Sequence, residues 1–158
     1  MIALDTSSTT TGYAIYENAV LKRHDVIDLS RAKCEPYIRV KNMKIRLITL
    51  LKQEKPDIIV VETNWKKQNI KVVQTLSEIM GVVEGYALTN NVDYVRLAPS
   101  KWRSLIQTSY PKNRKELKIW AVDTTKNIYP NIKIKTDDEA DAILIGQALI
   151  NEYDRLQN

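Results

Sequence analysis

Two short apolar runs, each closed by an acid, constrain this chain more than anything else in it. Ile58-Ile59-Val60-Val61 ends on Glu62, and Ile2-Ala3-Leu4 ends on Asp5. A wholly apolar, β-branched run offers no polar face to water, so residues 58 to 62 read as a central parallel strand covered on both sides. Such a strand needs helices packed against it, which makes the chain α/β. Asp5 adds a second constraint. A buried charge is costly unless it is paired or binds a metal. Asp5 therefore lies at a strand end near solvent, or something cationic meets it.

The rest of the chain supplies the other elements. Residues 1 to 16 read as strand, Thr/Ser-rich turn and strand, with Gly12 permitting a tight backbone between Thr9-Thr10-Thr11 and Tyr13-Ala14-Ile15. A turn at Glu17-Asn18 leads into a third strand over 19–29, completing an antiparallel meander. Pro36 can start a helix, and Val40, Met43, Leu47, Leu50 and Leu51 continue it to Pro56-Asp57. After a basic loop around Trp65, Val72, Leu76, Ile79, Met80, Val83 and Ala87 form one helical stripe over 70–89. On that helix Ser77, Gly81 and Gly85 recur at i, i+4 and i+8. Glycine costs helix stability, so the repeat points to close helix packing, either within the chain or across a two-fold dimer contact.

Residues 92–97 read as a fifth strand. A basic, helix-containing stretch follows from Pro99 to Lys118, interrupted at Tyr110-Pro111. Residues 114–128 read as a helix with Leu117, Trp120, Ala121 and Ile128 inward, and a last helix spans 138–156. The order βββαβαβαα predicts a mixed sheet with helices against it, and residues 1–158 read as one domain.

Composition narrows the setting. Cys34 is the one cysteine, so no internal disulfide forms, and it reads as a small apolar residue. No apolar run reaches membrane-span length and no signal peptide precedes Ile2, so a cytoplasmic setting is expected. The abundance of Lys, Ile and Asn fits an A·T-rich genome, that of a low-GC bacterium or its phage. The net charge of +5 favours an anionic partner only mildly. Its distribution says more. Arg96, Lys101, Arg103, Lys112, Arg114, Lys115 and Lys118 face a single acid, Glu116, in 96–118, whereas Asp137, Asp138, Glu139 and Asp141 crowd 137–141. A basic field around an acidic spot fits metal-dependent work on phosphates.

Asp138 and Asp141 share one helix face. Their repulsion is only partly offset by the positive helix N-terminus, and a divalent cation would resolve it. Mg²⁺ prefers oxygen ligands from one or two carboxylates together with water and substrate phosphate. Two such ions can activate an attacking water and steady a leaving oxygen in phosphodiester cleavage, with Asp5 bridging them and Glu62 serving one. The plainer reading makes Asp137 or Asp138 a helix N-cap. Yet core packing does not require the whole set of Asp5, Glu62, Asp138 and Asp141.

At these residues the chain resembles the RuvC-type Holliday junction resolvases of the ribonuclease H-like superfamily. The resemblance is carried by IALDTSSTTTGYAIY, by IIVVETNW with the helix ending GVVEGYAL, and by TDDEADAILIG. It implies a ribonuclease H-like mixed five-stranded sheet, three strands antiparallel and then parallel ones. It also implies four acids, matching Asp5, Glu62, Asp138 and Asp141, that bind two Mg²⁺ ions, with Mn²⁺ able to substitute. The implied activity is that of a homodimeric endodeoxyribonuclease nicking four-way and other branched DNA in pairs and leaving 5′-phosphate ends, with Ser77, Gly81 and Gly85 as the candidate interface. Trp65 takes the place of the family's base-stacking aromatic, beside Lys66, Lys67 and Lys71. Arg103 and Lys115 fall near the family's lysines at the scissile phosphate, with Lys101, Lys112 and Arg114 as rivals.

Two departures stand out. Thr6-Ser7 replaces the Pro-Gly that often follows the family's aspartate. An arginine at 103 cannot donate a proton as a lysine does, which puts cut-site sequence preference in question. Other classes stay open on sequence alone: an actin-like or tRNA-modification-type nucleotide-binding fold, suggested by the Thr/Ser turn, a related nuclease acting on RNA, and a nucleic-acid-binding module with a decayed site.

Overall fold

β1 (Ile2–Asp5) is the middle strand of the sheet. Its side chains alternate between two cores: Ala3 faces one, and Ile2 and Leu4 face the other. The computed structural model, which describes residues 1–63 and 69–157, orders the sheet β3-β2-β1-β4-β5. β2 (Thr10–Glu17) runs antiparallel to both β1 and β3 (Val20–Asp28), whereas β4 (Ile58–Glu62) runs parallel to β1 and to β5 (Asp93–Leu97). The meander followed by parallel strands is as the sequence implies. The β2–β3 hairpin turns one residue later than expected, with Asn18 and Ala19 both at positive φ, as tight hairpin turns require.

Three helices and the sheet enclose the core that contains Ala3, Ala14 and Val60: α3 (Pro99–Ile106), α4 (Arg114–Ile128) and α5 (Asp137–Gln157). The opposite face, with Ile2, Leu4, Ile59 and Val61, is covered by α1 (Pro36–Glu54) and α2 (Ile70–Thr89). Fully burying one Leu, Ile or Val side chain contributes about 1.5–3 kcal/mol, so β1 and β4 are anchored from both sides. α1 begins with Pro36 in its first turn and ends at Lys55 in the left-handed region, φ 44°. Asn69 and Asn113 cap α2 and α4, their side-chain oxygens accepting from Lys71 N and Lys115 N.

Three expectations need correcting. The stretch before α4 holds a separate helix, α3, which adds one element to the expected order. Ile128 is exposed rather than inward. Thr125 takes the buried position, donating its hydroxyl to Ala121 O at 2.8 Å. Gly12 lies inside β2 and not in a turn, and what it answers to is close approach. A Cβ there would sit 1.9 Å from the carbonyl oxygen of Asp138.

Candidate active site

Because β1 and β4 run parallel with Leu4 opposite Val61, both strands finish at the same edge of the sheet, on Asp5 and Glu62. Ligand sites of open α/β sheets gather at this carboxyl edge. α5 supplies the other acids. Asp5 pairs in register with Gly12, and Gly12 lets the first turn of α5 press onto β2. That brings Asp138 and Asp141 over the end of β1. Thr136 caps α5, its hydroxyl accepting from Glu139 N at 3.2 Å. The reading of Asp137 or Asp138 as the cap is thereby replaced. Asp137 instead meets Lys118 Nζ at 2.5 Å, and Asp138 accepts from the Thr10 hydroxyl. Ser7 holds the preceding turn, its hydroxyl oxygen accepting from Thr10 N at 2.9 Å.

The electrostatics are those of crowded carboxylates. Asp5 is pushed well above the usual carboxylate range by burial first, then by Asp141, Glu62, Asp138 and Asp137. Asp141 is pushed up to about 7, by burial and then by Glu62, with Arg103 opposing and Asp137 and Asp138 adding to it. Asp5 and Glu62 line a cleft of about 30 Å³ with Thr6, Val73, Leu76, Ser77 and Met80, room for one or two water-sized species. Among the described residues, no three acids, histidines or cysteines stand close enough to close around an ion as they are. The donor set nevertheless fits one. All four groups are hard carboxylate oxygens, and the mutual repulsion that adds to burial in raising Asp5 and Asp141 is what a divalent cation reverses.

Residues not singled out in the sequence complete the site. Trp102, fully buried, donates its indole N–H to Glu62 Oε2 at 2.5 Å. Glu139, also buried, accepts from Lys135 N at 2.6 Å, and its Oε1 lies 2.6 Å from His24 Nδ1. This ties the start of α5 to β3. The Thr-x-x-Glu pattern from 136 to 139 is a sequence signal that could have marked Thr136 as the cap.

The basic residues are dispersed. Arg103 lies 3.6 Å from Glu62 Oε2, and Lys101 is occupied by Glu152 at 2.7 Å. Lys71, Lys112, Arg114 and Lys115 are exposed. Trp65, Lys66 and Lys67 lie outside the described residues. Ser77 belongs to the acid-lined cleft, whereas a Cβ on Gly81 or Gly85 would meet nothing within 4 Å among the described residues. Packing among the described residues therefore does not explain the two glycines.

A mixed sheet of this order, with acids at adjacent strand ends under the first turn of a closing helix, defines the class: a ribonuclease H-like α/β fold. Residues 1–148 match the family model described as crossover junction endodeoxyribonuclease RuvC. The chain belongs to this family, and with it to the endonucleases that hydrolyse phosphodiester bonds. A crossover junction endodeoxyribonuclease RuvC of Carboxydothermus hydrogenoformans is 32% identical over 119 residues, 72% of each chain. One from Caldicellulosiruptor saccharolyticus is 24% identical over 155 residues, covering 95% of this chain and 91% of the relative. Among solved structures, T. thermophilus RuvC in complex with a Holliday junction substrate superposes with a TM-score of 0.75 at 16% identity, covering 99% of this chain and 96% of that one. The Fowlpox virus resolvase bound to Holliday junction DNA gives 0.66 at 17% identity, covering 96% of this chain and 97% of that one. At such identities the superpositions carry the fold. Family membership decides against the actin-like reading.

Proposed function

We propose that this protein resolves Holliday junctions and related branched DNA as a homodimer in the bacterial cytoplasm, each subunit nicking one strand and leaving a 5′-phosphate. The observation that carries the reading is the meeting of Asp5, Glu62, Asp138 and Asp141 at one edge of the sheet, with Asp5 and Asp141 held above their ordinary range by burial first and then by their acidic neighbours. These four would hold two Mg²⁺ or Mn²⁺ ions, which supply the charge that activates water and steadies the leaving oxygen. Asp5, at the end of the central strand, would be one of their ligands. Lys101, Arg103, Lys112, Arg114 and Lys115 draw in the phosphate backbone, and binding weakens steeply with salt as counterions are released. Trp65 stacks on a base at the branch point beside Lys66, Lys67 and Lys71. A two-fold dimer suits a four-way junction because symmetric sites meet symmetric strands.

The test is a cleavage assay on four-way, three-way and linear DNA, with Mg²⁺ and with chelator. Cutting confined to branched DNA and lost in chelator is expected. Strong cleavage in chelator would sink the two-metal reading, and equal cutting of linear DNA would sink the selectivity. Asp5→Asn should lose cleavage and keep junction binding. Trp65→Ala should impair cutting at branch points far more than binding to linear duplex.

A further inference from the structure

Glu62 is the most exposed to error of the four acids. It ends its strand, and its carboxylate sits on three rotatable bonds that the strand does not fix. Two side chains of α3 converge on its Oε2. Trp102 Nε1 donates to it at 2.5 Å, and the Arg103 guanidinium lies 3.6 Å away. The two are also bound to each other, Arg103 stacking over the Trp102 ring at 4.6 Å. Trp102 cannot move to accommodate a different Glu62. Its ring is wholly buried and packs against Trp120 at 6.0 Å, and Trp120 in turn meets Tyr110 at 6.0 Å and donates to Gln107 Oε1 at 3.1 Å.

A buried indole N–H needs an acceptor, and the core cluster that holds Trp102 consists of hydrophobic residues, aliphatic apart from Tyr16 among its buried members. The carboxylate is its acceptor, and a hydrogen bond to an ionised group is shorter and stronger than a neutral one. We infer that Trp102 is a positioning residue for the metal centre: its indole N–H fixes one oxygen of Glu62 and so pre-sets the carboxylate for a divalent cation at the Asp5–Glu62 cleft. The inference rests on Glu62 being a metal ligand, as proposed above. Donors behind metal ligands act this way in general, and losing one typically lowers metal affinity by roughly 10–100-fold.

The arrangement has a further consequence. α3 carries Lys101 and Arg103, which the reading assigns to DNA, so the helix that touches phosphate is also the one that holds Glu62. DNA that shifts α3 would shift Glu62 with it.

The experiment measures Mg²⁺ binding directly, by calorimetry on the full chain without DNA, for the wild type, Glu62→Gln, Trp102→Phe and Trp120→Phe. Trp102→Phe removes the N–H and keeps an aromatic ring. Trp120→Phe makes the same change one ring away, where the N–H meets Gln107. Affinity should fall about 10-fold in Trp102→Phe, and at least as far in Glu62→Gln, and stay within about twofold of wild type in Trp120→Phe. Wild-type affinity in Trp102→Phe alongside a loss in Glu62→Gln would overturn the positioning role and leave the metal role of Glu62 standing. No Mg²⁺ binding in the wild type, or none sensitive to Glu62→Gln, would overturn the metal reading itself. A second measurement needs no fold-perturbing variant. In ¹⁵N spectra of the wild type, the Trp102 indole N–H resonance should move on Mg²⁺ addition while that of Trp120, assigned with Trp120→Phe, stays put. A Trp102 resonance unmoved at saturating Mg²⁺ would overturn the inference.

Discussion

α2 and α5 are the two longest helices, 20 and 21 residues, and they use their length in opposite ways. α5 lies across the middle of the sheet and buries Glu139, Ala140, an unbroken stretch from Ala142 to Gly146, Ala148 and Leu149. α2 buries only Ile79, Val83, Tyr86 and Ala87, and leaves Ile70, Val72 and Leu88 to solvent. Their glycines differ in the same sense. A Cβ on Gly146 would lie 2.3 Å from the Tyr16 ring, whose hydroxyl donates to Ile143 O at 2.6 Å, while one on Gly81 or Gly85 would meet none of the described residues within 4 Å. The lesson is that a helix can be committed inward or held available, and that small residues serve either purpose. α5 is spent on fixing acids against the sheet. α2 keeps a smooth outer face, which is where the proposed dimer contact would form.

The contrast can be broken experimentally, and the largest effect belongs to α5. Asp141→Asn should lower cleavage on the order of 1,000-fold, the loss of about 4 kcal/mol of transition-state stabilisation, with the melting temperature held or raised; single-turnover cleavage and thermal melting check both halves. Gly146→Ala comes next. Overpacking against Tyr16 should cost about 1–3 kcal/mol, read by urea denaturation, and wild-type stability there would mean that α5 is not held as tightly as its burial implies.

The pH dependence is smaller and sharpens the comparison electrostatically. Asp141, ordinarily near 3.8, titrates at about 7 in the folded chain, so the folded state holds its proton longer than the unfolded one. Without metal, this group's contribution is therefore most favourable below about 4, declines as pH rises toward 7, and is flat above it. Mg²⁺ should raise the melting temperature more at pH 8 than at pH 5, each kcal/mol being worth roughly 3 °C in a domain of this size. An equal shift at both values would mean that the acids are not the ion's ligands. The smallest effect belongs to α2. Gly81→Ala and Gly85→Ala should each stabilise the chain by up to about 1 kcal/mol as a monomer, while weakening self-association measured by sedimentation. Unchanged self-association would move the dimer contact off this helix.

Much of this was legible in the sequence, for a physical reason. The ends of β1 and β4 could be read because an acid closing an apolar run leaves few alternatives, and the antiparallel-then-parallel character of the sheet was legible in the meander and the αβ alternation after it. The Asp138/Asp141 pair announced itself by helical spacing. What could not be read depends on contacts between distant positions. Trp102 and Glu62 are separated by 40 residues, and nothing in the neighbours of Trp102 marks its N–H as bound to a carboxylate. His24 and Glu139 are 115 residues apart, and each alone looks ordinary. Ile128 misled because helical periodicity near the end of α4 predicts a face but not whether anything lies opposite it. Gly12 reads as a turn residue in sequence, since a glycine needed for a neighbour's approach looks the same there as one needed for a turn.

That glycine sets a tolerance. Catalytic groups must be held to within about 0.5 Å, and a displacement of about 1 Å can cost roughly 100-fold in rate. The clearance between β2 and the first turn of α5 is smaller than a methyl group, since an added Cβ would lie 2.4 Å from the carbonyl carbon of Asp138. Position 12 thus works as a shim of zero thickness. Any side chain inserted there would lift two of the four acids away from the other two, and the first property lost would be the alignment of the two halves of the site, before the fold itself gave way.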